Sequence, residues 1–280
     1  MRLLIADGGA TKTEWILLEN RLVKYRFMTN GFNPNYAPVS AFENMLQSDF
    51  PASFPVEVDE IRYYGSGCAA EDNCVLVKTA IQKRFPRADV AVTHDLMAAA
   101  HATLGRNPGI ACILGTGSNS CLYDGNRIIG QGISLGYLVG DEGSGCHIGK
   151  EVVRSFFYEM MPEELCRQFD AEYGLDRGSF VNRLYHDAQP SKYLASFSRF
   201  AGNHQDHPFI KDLCTRCFNA FIDSFICRYD GYSSLNVSFV GSVAYHFQAI
   251  LRDALNERGI SVGQVLQSPA EGLIRFYTSE

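Results

Sequence analysis

The sequence predicts a mixed α/β protein built in two halves, and three observations carry that prediction. Strand and helix signals alternate through the first third of the chain. The first three strand signals follow one another too closely for helical crossovers, so they should pair antiparallel. After the turn cluster Arg106-Asn107-Pro108-Gly109, an opening of strand, small-residue turn and strand begins again.

The elements follow in order. Leu3–Ala6 is an apolar strand that runs into Asp7-Gly8-Gly9-Ala10-Thr11-Lys12-Thr13, and Glu14–Leu18 returns at once. Further strands are expected at Val23–Met28, Ile61–Tyr64 and Val90–Thr93, with helices over Val39–Ser48, Glu71–Arg84 and Leu96–Leu104. In the second half, Ile110–Leu114 leads through Gly115-Thr116-Gly117-Ser118-Asn119-Ser120 to Cys121–Tyr123. Asp124-Gly125-Asn126 then makes a hairpin into Arg127–Ile129. The remainder reads as mostly helical, with a long amphipathic stretch from Pro208 to Arg228. A last strand, Val237–Val240, ends in Gly241-Ser242-Val243-Ala244 and leads into another helix.

Composition narrows the function classes. The 280 residues are 46% hydrophobic and 20% charged, as in a globular chain of one large or two modest domains. With 25 Lys and Arg against 31 Asp and Glu, the net charge is −6, and no basic block stands out. A nucleic-acid or anionic-membrane surface is therefore disfavoured, and any phosphate must be held locally. No apolar run approaches the ~18 residues of a membrane span, and Asp7 cuts the first hydrophobic stretch too short for a signal peptide. A cytoplasmic protein is expected. The nine cysteines are odd in number and irregularly spaced, which reads as reduced thiols. Cys214 and Cys217 share one helix face without a second pair to complete a zinc set. A buried structural role is the reading for these thiols, with metal binding or redox chemistry as its alternative.

Four turns, beginning at Asp7, Gly115, Gly140 and Gly241, combine glycine with hydroxyl or acidic residues at strand ends, where open α/β sheets bind ligands. Glycine lets backbone N–H groups approach a phosphate, and Thr and Ser add donors without bulk. Each turn taken singly also reads as a plain tight hairpin. Asp7 would repel phosphates unless a cation intervened, and Mg²⁺ held through water is the usual solution. The chain has no Gly-x4-Gly-Lys-Ser/Thr, and Gly8-Gly9 leads into a strand rather than a helix, so the P-loop and dinucleotide-fold readings fall.

Together, Asp7-Gly8-Gly9-Ala10-Thr11-Lys12-Thr13, His94-Asp95, Gly115-Thr116-Gly117-Ser118, Gly140-Asp141-Glu142-Gly143-Ser144 and Gly241-Ser242-Val243-Ala244 resemble the N-acetylglucosamine kinases and the related BadF/BcrA-type ATPases. These belong to the actin, hexokinase and heat-shock ATPase superfamily. The resemblance implies two ribonuclease-H-like domains, each a mixed five-stranded sheet with helices, closing over ATP and substrate in the interdomain cleft. It sets the domains at 1–107 and 108–267, with a terminal helix over 268–280 packing back on the first.

The same resemblance implies site residues. Asp7 would organise Mg²⁺, and Gly9, Thr11, Lys12 and Thr13 would face the terminal phosphates of ATP. Gly115, Thr116, Gly117 and Ser118 match the second phosphate loop, and Gly241 with Ser242 the adenosine turn. Asp95 matches the catalytic base, a role consistent with a carboxylate taking the proton of an attacking sugar hydroxyl. Asp95 also reads as an N-cap of Leu96-Met97-Ala98-Ala99-Ala100, and the two roles are compatible. Asn30 and Asp141 match sugar ligands. Glu142 reads as a cap of Gly143–Phe157, and His94 as a satisfied core histidine. Where animal N-acetylglucosamine kinases carry a sugar-stacking tryptophan, this chain has Leu135 before Gly136-Tyr137-Leu138.

The leading reading is a kinase of an amino sugar, N-acetylglucosamine at its 6-hydroxyl, with a small sugar and Mg-ATP as partners and a homodimer left open. The alternative is an ATPase activator of an iron–sulfur 2-hydroxyacyl-CoA dehydratase, kept open by Cys146 behind the Gly140 motif. A sugar-sensing regulator is a third class. Motifs that begin at Asp7 would leave no room for a DNA-binding segment before them.

Overall fold

Four consecutive buried residues, Leu3–Ala6, make strand β1 (Arg2–Gly8) the centre of the first sheet, since only a strand covered on both faces tolerates an unbroken apolar run. It is followed by β2 (Lys12–Glu19), β3 (Leu22–Asn30), helix α1 (Val39–Ser48), β4 (Glu60–Gly65), α2 (Glu71–Arg84), β5 (Asp89–His94) and α3 (Asp95–Leu104). The order across the sheet is β3-β2-β1-β4-β5. β1 pairs antiparallel with β2 and parallel with β4, and β2 pairs antiparallel with β3, so the closely spaced opening strands form a meander. The computed structural model describes residues 1–280 except Val56, Ala188 and Glu280.

The second sheet repeats this plan. β6 (Gly109–Leu114), β7 (Ser118–Tyr123) and β8 (Ile128–Gln131) form its meander. A helical region follows: α4 (Gly136–Val139), α5 (Gly145–Phe157), α6 (Glu163–Tyr173), α7 (Arg177–His186), α8 (Pro190–Ser196), α9 (Ser198–Asn203) and α10 (Pro208–Phe221). Then come β9 (Val237–Val240), α11 (Ser242–His246), α12 (Gln248–Asn256), β10 (Val262–Leu266) and α13 (Ala270–Thr278). The sheet order β10-β9-β6-β7-β8 matches the first sheet when read from β8, which is the two-domain actin-like ATPase architecture.

Two features depart from the sequence reading. β10 supplies the fifth strand but gave no signal, because Gly263 and Gln264 interrupt it and it is only half-buried. The amphipathic stretch from Pro208 leaves the α-helix after Phe221 for a π turn over Ile222–Ile226, in which Cys227 N donates to Ile222 O at 2.9 Å. The wider turn buries Ile222, Phe225 and Ile226 together.

By contact, the chain divides into two compact units, Met1–Gly105 with Pro269–Glu280, and Arg106–Ser268. The first packs around Trp15, which is fully buried against Phe50 at 4.8 Å between ring centroids and donates its Nε1–H to Thr29 Oγ1 at 2.9 Å. The partner atom removes the cost of burying the indole N–H. α13 completes this unit by lying on α3: a Cβ on Gly272 would come within 2.3 Å of Ala102 O, so only glycine permits the approach. Tyr277 OH meets Tyr64 OH at 2.6 Å, and Tyr64 OH meets His101 Nδ1 at 2.8 Å. In the second unit Phe169, Phe197, Phe200, Phe218, Phe221 and Phe239 are fully buried around β6 and the π turn. At roughly 1.5–3 kcal/mol for each large side chain buried, these rings supply much of the drive to fold.

Candidate active site

In the first unit the site is built from the carboxyl ends of β1, β4 and β5. Asp7 lies opposite Glu14 on β2 and Tyr64 on β4. The turn after it is closed by Gly9 N to Lys12 O at 2.9 Å and held to the end of β3 by Gly31 N to Thr11 O at 2.9 Å. A Cβ on Gly31 would stand 2.3 Å from both Gly9 O and Lys12 N, so this clasp requires glycine. The turn exposes Thr11 and Lys12 but buries Thr13, whose hydroxyl has no hydrogen-bond partner among the described residues.

The electrostatics around Asp7 are adverse. Burial, then Asp95 and Glu14, push its carboxyl up to about 7, with Lys12 opposing. A cation would relieve that repulsion. Among the described residues no group of three or more His, Cys, Asp and Glu is arranged to hold a metal. One carboxylate beside exposed hydroxyl and amine groups nevertheless fits Mg²⁺, which keeps most of its waters and takes its remaining ligands from a nucleotide.

Asp95 is the first residue of α3. His94 occupies the N-cap position without a side-chain bond, so Asp95 stands one position further into the helix than an N-cap would. Its half-buried carboxylate accepts from Ser66 Oγ at 3.1 Å. Burial raises its pKa, opposed first by the Ser66 hydroxyl and then by His94 and the first N–H groups of α3. His94 Nδ1 is buried with no partner among the described residues, which corrects the expectation of a satisfied core histidine. Asn30 is exposed, and its Nδ2 and backbone N donate to Asp49 Oδ2 at 2.9 and 3.2 Å. The Ser48 hydroxyl, with these Asn30 amides behind it, holds the Asp49 carboxyl below the ordinary range.

The second unit brings three of the motifs together. The Gly115–Gly117 turn lends its carbonyls to α5, with Gly145 N to Gly115 O at 2.8 Å and Cys146 N to Thr116 O at 3.1 Å. These bonds satisfy two of the orphan donors at that helix start. Ser118 N donates to Asp141 Oδ1 at 3.4 Å, and a Cβ on Gly117 would lie 3.0 Å from Asp141 Oδ2. Asp141 is buried, with φ 57°, and burial raises its pKa against the Ser118 N–H and Lys150. The Ser118 hydroxyl is buried with no partner among the described residues, while Thr116 and Ser242 are exposed. Gly241 closes the group, its φ of 130° placing a would-be Cβ 2.1 Å from Leu114 O. The cap of α5 is Ser144, which accepts from His147 N at 3.1 Å; Glu142, the residue expected there, is not the cap.

No family model and no curated protein matches this chain. Among solved structures, a Porphyromonas gingivalis protein provisionally named an N-acetylglucosamine kinase superposes with a TM-score of 0.92 at 36% identity, over 99% of both chains. The chain belongs to the N-acetylglucosamine kinase and BadF-type ATPase family. A provisionally named N-acetylglucosamine kinase from Chromobacterium violaceum (19% identity, 98% of both chains, TM-score 0.73) shares the fold. So does a ROK hexokinase from Thermus thermophilus (14% identity, 99% of this chain and 98% of that one, TM-score 0.53).

Within this N-acetylglucosamine kinase and BadF-type family, two positions bear on which branch the chain follows. Leu135 is 62% exposed at the start of α4, in a segment that also exposes Ile133, Leu138 and Val139. Cys146, by contrast, is fully buried, and burial pushes its thiol up to about 11. A thiol so placed is poorly suited to ligate a cluster shared at a surface. All nine cysteines are free, and Cys214 and Cys217 are buried in the core. The sequence reading overlooked Ser66, Asp49, Lys150 and His147. Ser66 had a signal, since Gly65-Ser66-Gly67 is a fifth Gly/Ser turn at a strand end.

Proposed function

We propose that the chain is an ATP-dependent sugar kinase whose acceptor is an amino sugar, N-acetylglucosamine at its 6-hydroxyl. The observation that carries this reading is the pair of half-buried carboxylates in one unit, Asp7 pushed up by burial and by Asp95 and Glu14, and Asp95 accepting a hydrogen bond from Ser66. Two carboxylates in unlike surroundings can divide the work of holding a cation and moving a proton.

In this reading Asp95 takes the proton of the 6-hydroxyl as that oxygen attacks the γ-phosphorus in line and the bond to the β-phosphate oxygen breaks. Burial, which raises its pKa above the ordinary aspartate value, makes it a better base than an ordinary aspartate carboxylate. Asp7 would hold Mg²⁺ through water, and the ion would neutralise charge on the phosphates. Thr11 and Lys12, both exposed, would meet the terminal phosphates beside Gly9. The Gly115–Ser118 turn would offer donors to the remaining phosphates, and Gly241 with Ser242 would adjoin the adenosine. Asn30, oriented by Asp49, and Asp141, oriented by the Ser118 N–H, would bind sugar hydroxyls. A reaction that consumes ATP suits the cytoplasm, and no helix among the described residues is long and apolar enough to cross a membrane.

The test is a turnover screen of hexoses and N-acetylhexosamines with Mg-ATP, with the phosphorylated position read by NMR. ATP consumption with N-acetylglucosamine, yielding the 6-phosphate, is the expected result. Another sugar turned over would correct the substrate, and no turnover with any sugar would overturn the kinase reading.

A further inference from the structure

We propose that Ser66 is a positioning residue for phosphoryl transfer, its hydroxyl setting the rotation of the Asp95 carboxylate toward the sugar hydroxyl. The inference rests on the assignment of Asp95 as base. Ser66 Oγ donates to Asp95 Oδ2 at 3.1 Å, and Ser66 N donates to Gly8 O at 2.7 Å, the carbonyl next after Asp7. One residue thus ties the Asp95 side chain to the strand end that carries the other carboxylate.

The turn that presents Ser66 is fixed independently of its hydroxyl. Cys68 N donates to Gly65 O at 3.2 Å, Asn73 Nδ2 to Gly67 O at 2.7 Å, and Cys74 Sγ to Cys68 O at 3.1 Å. Gly67 has φ 81°, and a Cβ there would lie 2.3 Å from Asn33 Oδ1, so the turn is held in a conformation that only glycine accepts readily. The hydroxyl adds nothing to that scaffold; it reaches Asp95. A neutral donor suits the task, since a lysine or arginine in its place would bind the carboxylate as an ion pair and weaken it as a base.

The experiment compares wild type, Ser66→Ala and Ser66→Thr in steady-state kinetics, with the sugar that wild type phosphorylates and Mg-ATP. Misorienting a reacting group can cost as much as 10²-fold, so Ser66→Ala should lower kcat by about 10–100-fold. The KM for ATP and the melting temperature should stay near wild type, and Ser66→Thr should recover most of the lost kcat. In an Asp95→Asn background, Ser66→Ala should cost less than about twofold, because two residues acting through one step are not additive. A kcat within twofold of wild type in Ser66→Ala, a loss that threonine does not rescue, or a full additional loss in the Asp95→Asn background would each overturn the proposal. Asn73→Ala, which loosens the turn without touching the hydroxyl, should lower kcat by a smaller factor; an unchanged kcat there would show that the turn does not govern Asp95. A wild-type chain inert toward every sugar would remove the kinase reading itself and this assignment with it, an outcome separate from failure of the serine variants alone.

Discussion

Gly241 touches the backbone of Leu114: a methyl group on Gly241 would lie 2.1 Å from the Leu114 carbonyl oxygen. The turn after β9 and the end of β6 therefore meet with no room for a side chain, and φ of 130° at Gly241 disfavours any other residue even without the contact. Gly241→Ala is expected to destabilise the protein by roughly 3 kcal/mol, combining backbone strain with displacement of the β6 end. Urea unfolding measures it. A loss below about 0.5 kcal/mol would mean that the contact relaxes freely.

The Asp7 carboxyl gives a pH dependence with a definite sign. Its pKa rises from an ordinary 3.8 to about 7 in the folded chain, so the folded state holds this proton more tightly than the unfolded state. The resulting stability is fully present below about pH 4 and is lost as pH rises toward 7. At about 1.4 kcal/mol per unit, Asp7→Asn should gain on the order of 2–4 kcal/mol over wild type at pH 8 and little at pH 4. Unfolding curves in Mg²⁺-free buffer across this range test it, and a gain independent of pH would point to a cause other than ionisation.

His147 gives the opposite sign. Its Nδ1 accepts from Gly143 N at 3.0 Å, so the ring proton sits on Nε2, and burial holds its pKa below the ordinary 6.5. The stability this group contributes is present above about pH 6.5 and is lost as pH falls below it. Relative to His147→Gln, wild type should lose stability between pH 7 and pH 5. Equal acid sensitivity in the two proteins would exclude His147 as a source.

At Leu135 the expected effect is on substrate affinity. A tryptophan there would offer a ring face to a sugar bound near Asp141, where leucine offers only apolar contact. Leu135→Trp should lower the sugar KM by about threefold to tenfold with kcat little changed, since a stacked aromatic is worth ~0.5–1.5 kcal/mol. An unchanged KM would place the sugar away from this segment.

The apolar runs Leu3–Ala6 and Ile110–Leu114 declared the two central strands, because burial on both faces leaves a continuous hydrophobic mark. Helices α1 and α2 have the bounds read from their periodicity. β10 left no such mark, since its edge position asks little of Gly263 and Gln264. The Gly117–Asp141 and Leu114–Gly241 approaches join motifs already visible as glycine turns, yet which turns share a unit's site follows from sheet order rather than from local letters. Ser66 and Asp49 were harder to see because each matters through a partner 29 or 19 residues away in the chain.

The most direct test of the account is Asp95→Asn, with kcat and ATP affinity measured on the same preparation. Since a positioned base contributes ~10²–10⁴-fold, kcat for sugar phosphorylation should fall by at least two orders of magnitude while calorimetry gives an ATP affinity within about threefold of wild type. A variant that still phosphorylates sugar within threefold of the wild-type rate would contradict the assignment of Asp95 and the mechanism built on it.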